Sequence, residues 1–191
     1  IGAIIPFLVF FDRMALVDSM LAAFTIWTLI VGMLLIEYKR IDLAMVLGFL
    51  LGGGLLTKTP ALFNFISLPA TLFMFNFKTK KRPIQLLKIL GLWAIAVVIA
   101  LGMYGILKLG PNYSSLSSRN QDYIFTPQEI LARPLDPFVP HVFDVLGWVN
   151  YLITIPISIA LLLGIIFGLI QKNWKIAAVF WFAVIPLLIE M

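Results

Sequence analysis

Apolar residues run along this chain in long blocks, at about 1–11, 15–36, 43–56, 60–77, 84–109, 149–170 and 176–189, parted by short polar gaps. Several blocks approach or exceed the 18 residues that mark a membrane-spanning helix. They are continuous runs rather than ten-residue alternating segments, so they predict α-helices and not a β-barrel. The pattern therefore predicts an all-α, polytopic transmembrane bundle of about six to seven spans, forming part of one transmembrane domain over 1–191. The longest gap, 110–148, is predicted to be an ordered loop with a short helix near 127–133.

Composition agrees with that pattern. Of the 191 residues 62% are hydrophobic and only 12% are charged, with a mean hydropathy of +1.05. A soluble domain would be about half apolar and about a quarter charged. The chain holds no cysteine, which excludes disulfides, thiolate metal sites and cysteine nucleophiles. It begins "IGAIIPFLVF" and ends "FWFAVIPLLIEM", within apolar runs and without a signal-peptide pattern, so an internal piece of a longer membrane protein is expected.

The net charge of +5 sits largely in the gaps. Lys39 and Arg40, then Lys78, Lys80, Lys81 and Arg82, then Lys172 and Lys175 supply 8 of the 14 basic residues, in three gaps that alternate with the others. The positive-inside rule assigns those three to the cytoplasm and puts "FDRMALVD", "TKTP" and 110–148 outside. Nucleic-acid binding is not expected from charge distributed in this way.

Between Leu43 and Phe77 the single charged side chain is Lys58. It falls at the outer turn of a helical hairpin whose first arm, 43–56, reaches only about 21 Å at 1.5 Å per residue. Pro60 suits the first turn of the second arm, and Thr57 and Thr59 suit capping. Gly48, Gly52, Gly53 and Gly54 form a strip that invites close approach of another helix. Two readings of Lys58 stand side by side: a snorkelling lysine that marks the membrane edge, or a cation placed to meet an anion. Asp12, Arg13 and Asp18 lie on the same outer side. Asp18 is either a helix N-cap or first-turn acid, or part of a site. Arg13 and Asp18 are five residues apart, about 500° of helix rotation, so they do not stack on one helix face.

The elements "R-M-A-L-V-D-S-M-L-A-A-F" and, about forty residues on, "L-G-G-G-L-L-T-K-T-P-A-L" resemble the membrane region of polyprenyl-phosphate-dependent glycosyltransferases. These are glycosyltransferase family 39 of the GT-C fold, which includes protein O-mannosyltransferases and lipid A aminoarabinose transferases. The resemblance covers Ile1 to about Arg82 and is one of layout beyond. It implies an inverting sugar transfer at the extracytoplasmic face of a multi-pass plasma-membrane enzyme in a prokaryote. The donor is a polyprenyl-phosphate-linked sugar and the acceptor a protein, lipid or glycan. Membrane lipids are the other implied partners, and no nucleic acid is. No cofactor beyond the donor is implied, and a divalent metal is left open.

Arg13 and Asp18 match the family's Arg-x-x-x-x-Asp element, and Lys58 the lysine of its Leu-Thr-Lys-Gly-Pro-like turn, with Thr59 where glycine is common. By that match Arg13 and Lys58 face the donor phosphate. Asp18 orients Arg13 or the acceptor, with a catalytic role as the weaker option. The resemblance places the general base in a loop upstream of Ile1, so the piece alone is expected to be inactive. In the loop 110–148, Arg119, Arg133 and His141 are candidate contacts to phosphate or sugar, against a bland reading as an aromatic-anchored interfacial loop. His141 is the only histidine, and it lacks partners of metal-ligand type. Two rival readings remain. One is a secondary transporter, with Pro69, Pro156 and Pro186 marking broken helices. The other is a non-catalytic membrane scaffold.

Overall fold

The computed structural model describes residues 17–78, 82–111, 113, 142–144, 147 and 155–190, with side chains as far as Pro186 in the last helix. Outside the described residues lie the apolar block 1–11, the expected helix near 127–133, and Arg13, Arg119, Arg133 and His141. The described chain is helical and contains no strand. Its elements are α1 (Val17–Tyr38), α2 (Ile41–Thr57), α3 (Leu62–Ser67), α4 (Arg82–Gly105), α5 (Ile155–Ile170) and α6 (Trp174–Glu190).

Three-ten turns flank α3 on both sides, at Thr59–Ala61 and Leu68–Met74, and another extends α4 over Ile106–Leu109. The block 60–77, expected as one regular arm, is thus a discontinuous segment. Two prolines explain the breaks. Pro60 and Pro69 each sit at the start of a three-ten stretch, where a missing N–H and a fixed φ are tolerated but a continuing α-helix is not.

Val17–Tyr38, with 22 residues, and Arg82–Leu109, with 28, are each long and apolar enough to cross a membrane. The other apolar helical stretches are shorter. α2 has 17 residues, about 25 Å of helix against a hydrocarbon layer of roughly 30 Å. Large apolar side chains also stay exposed around these helices, among them Leu87, Val98, Leu163 and Phe167.

α2 is the middle of the packing, with α1 on one side and α4 on the other. Its small residues let α4 in. A Cβ on Gly48 would stand 2.8 Å from the Ala96 carbonyl oxygen and from Ile99 Cβ, and one on Gly52 would stand 2.7 Å from Met103 Sδ. Around that seam Leu35, Leu47, Leu51 and Ile89 are fully buried. Dispersion and backbone proximity, rather than large side chains, hold such an interface together.

These contacts fix directions. Gly48 faces Ala96 and Gly52 faces Ala100, so α2 and α4 run parallel. α1 runs antiparallel to α2, joined by the short turn Lys39–Arg40. The discontinuous segment runs parallel to α1: Asn64 Nδ2 donates to Thr25 Oγ1 at 3.1 Å, and Gly32 lies against Leu68 and Thr71. α6 returns along that segment, with Trp174 stacked on Phe73 at 6.4 Å between ring centroids. Together these directions bring the turns carrying Lys39 and Arg40, Lys78, and Lys172 and Lys175, with the start of α4 at Arg82, to one end of the bundle. Lys58 and Lys108 lie at the other.

Two of the helix reversals at the basic end close on a left-handed lysine, Lys39 at φ 52° and Lys172 at φ 54°. Lys39 N–H donates to the Leu35 carbonyl, and Asn173 N–H reaches back to that of Gly168 at 2.9 Å. The Asn173 side chain then accepts from Lys175 N–H and starts α6.

Candidate functional site

Lys58 sits where α2 stops. Its N–H still donates to the Gly54 carbonyl at 3.0 Å, but its backbone is extended (φ −160°, ψ 144°). Its own carbonyl accepts from Ala61 N–H at 3.1 Å, which starts the three-ten turn containing Pro60. The Thr57 hydroxyl donates to the Gly53 carbonyl at 2.7 Å and so occupies one of the last-turn acceptors. Lys58 is therefore held from both sides by backbone bonds, at the tip of a helical hairpin.

From that tip Lys58 Nζ donates to Asp18 Oδ1 at 2.6 Å. Asp18 stands in the first turn of α1, where the helix dipole favours a negative charge. The first-turn reading of Asp18 therefore describes its place in the helix, and the site reading describes what it touches. The pair spans forty residues of sequence. The side chains remain 44% and 50% exposed, so solvent screens the attraction and the bridge contributes only about 0–1 kcal/mol. What it does supply is position: an ammonium and a carboxylate held together at an open rim.

Of the residues singled out in the sequence, the structure brings together Lys58 and Asp18. Arg13, Arg119, Arg133 and His141 lie outside the described residues. The expectation that Asp18 orients Arg13 is joined by an unforeseen contact, since Asp18 binds the Lys58 ammonium directly. Comparing positions within one helix cannot find that contact. The signal lies in the hairpin, because opposite charges at the start of one antiparallel helix and the end of the next must meet.

Sequence reasoning also missed a buried polar seam between α1 and the discontinuous segment. Asn64 is 3% exposed and bonds Thr25, while Thr28, Ser67 and Thr71 are fully buried. Thr71 donates to the Leu68 carbonyl at 2.8 Å; the Thr28 and Ser67 hydroxyls find no partner among the described residues. Among the described residues no group of three potential metal-binding side chains forms.

At the opposite end Arg40 grips Asp42 through two hydrogen bonds, from Nε at 3.0 Å and from the terminal guanidinium nitrogen at 2.6 Å. The guanidinium bond holds the Asp42 carboxyl below the usual carboxylate range, and the carboxylate raises Arg40 further. Arg40 is thereby engaged by its neighbour, across a pair that stays exposed to solvent.

No family model, curated protein or solved structure matches the chain. Among the described residues, fold and site define a helical bundle with two helices of membrane-spanning length, a charge pair at one end and basic turns at the other.

Proposed function

We propose that the chain is part of a multi-pass membrane glycosyltransferase. In this reading it moves a sugar from a polyprenyl phosphate to an acceptor at the extracytoplasmic face. The observation that carries the reading is the Lys58–Asp18 pair, held at the end of the bundle opposite the basic turns. With those turns in the cytoplasm by the positive-inside rule, the pair lies at the outer rim, where the phosphate of a lipid-linked donor resides.

In the transfer, negative charge grows on the departing phosphate, and a cation fixed beside it lowers the barrier. Lys58 supplies a point charge and Arg13 a two-pronged donor. Asp18 holds the ammonium in place until the phosphate arrives and then shares it. The acceptor gives its proton to a general base, a role for which Asp18 is the weaker candidate.

The test is sugar release from a polyprenyl-phosphate sugar by the intact enzyme. Lys58→Ala and Arg13→Ala are each expected to lower turnover by about 100-fold or more, the scale of losing one transition-state charge contact. Unchanged turnover and donor KM in both variants would overturn the assignment.

One observation favours a second reading, a secondary transporter of an anionic substrate. The discontinuous segment Thr59–Met74, with buried Asn64, Ser67 and Thr71, has the form of the broken helices at which transporters bind substrate. Uptake of a labelled anion into sealed proteoliposomes, without sugar release, selects that reading.

A further inference from the structure

The turn after the discontinuous segment and the turn between α5 and α6 come together at the basic end. The link is the stack of Phe73 on Trp174, with ring planes 10° apart. Both rings stay open to the surroundings, Phe73 at 38% exposure and Trp174 at 57%. Lys78, Lys172 and Lys175 flank the stack and are exposed. None of the three forms an ion pair among the described residues, whereas Arg40 at the same end is occupied by Asp42. The left-handed backbone at Lys172 and the Asn173 cap fix the turn that carries two of these lysines.

We infer that this aromatic stack and its three lysines form a docking surface for an anionic phospholipid. The occupant follows from two chemistries found side by side. Exposed indole and phenyl rings favour the boundary between headgroups and acyl chains. Ammonium groups at the same level favour lipids with net negative charge, because a zwitterionic headgroup neutralises its own phosphate. On α5, which ends at the same turn, Leu163, Ile166, Phe167 and Ile170 are exposed and offer an apolar surface for the chains. This docking rests on the membrane placement proposed above and is independent of sugar transfer.

The test uses the full chain in phosphatidylcholine vesicles that carry a small fraction of chain-brominated lipid, either phosphatidylglycerol or phosphatidylcholine. The Trp174 signal is isolated by subtracting the Trp174→Phe variant. Brominated phosphatidylglycerol is expected to quench it several-fold more than brominated phosphatidylcholine, at roughly five-fold for each lysine engaged. The preference disappears in the Lys78→Gln/Lys172→Gln/Lys175→Gln triple variant and persists in Lys108→Gln, at the other end of the bundle. Equal quenching by the two lipids, or a preference that survives the triple variant, overturns the docking surface. Absence of quenching by either lipid overturns the membrane placement as well.

Discussion

At the scale of single residues, the bridge between Lys58 and Asp18 is geometrically tight and energetically small. Its oxygen–nitrogen distance is 2.6 Å, yet both side chains are about half exposed. A double-mutant cycle with Lys58→Met and Asp18→Asn, read by thermal unfolding in detergent, is expected to give a coupling below about 1 kcal/mol that shrinks with added salt. A coupling of several kcal/mol would mean that the pair is buried in the working protein and serves stability instead of ligand binding. The charges themselves were legible in the sequence, because a lone lysine in an apolar stretch stands out. Their common side was legible too, from the alternation of basic gaps, but their direct pairing was not, because that alternation says nothing of which side chains on one rim touch.

At the scale of elements, the glycine strip of α2 is the clearest case of sequence dictating packing. Gly48 and Gly52 predict a close neighbour, and α4 occupies that place. Gly48→Ala is expected to destabilise the bundle by about 1–3 kcal/mol, since its methyl would meet the Ala96 backbone oxygen. Gly91→Ala, with nothing within 4 Å, should be neutral or stabilise α4 by up to about 1 kcal/mol. Equal effects of the two, measured by unfolding in the same detergent, would show that the α2–α4 contact is loose. The arm 60–77 marks where reading from sequence stopped short. Its apolar run is uninterrupted by charge, so it reads as one helix, but Pro60 and Pro69 reset the hydrogen-bond pitch. Apolar content carries no information about whether a bond closes three residues back or four. The buried Asn64, Ser67 and Thr71 were hidden for the same reason, as polar side chains too few to disturb the hydropathy of the run.

At the scale of the whole molecule, the two ends differ in charge and in how the chain is closed. Parallel and antiparallel contacts place three basic turns together, which the alternation of gaps in the sequence had already suggested. These 191 residues hold no cysteine, so single substitutions among them report position directly. Asn76→Cys and Gln171→Cys are expected to react with an impermeant maleimide from one side of a sealed vesicle, and Lys108→Cys from the other. Labelling of Asn76→Cys and Lys108→Cys from the same side would overturn the orientation proposed for the bundle. The lysines at the two reversals add a design conflict. Lys39 and Lys172 carry both a strained dihedral and a positive charge, so a glycine there would relax the bend while removing one of the basic charges on which the proposed orientation rests. Evolution toward a sturdier fold and toward a firmly oriented one would thus pull these two positions in opposite directions.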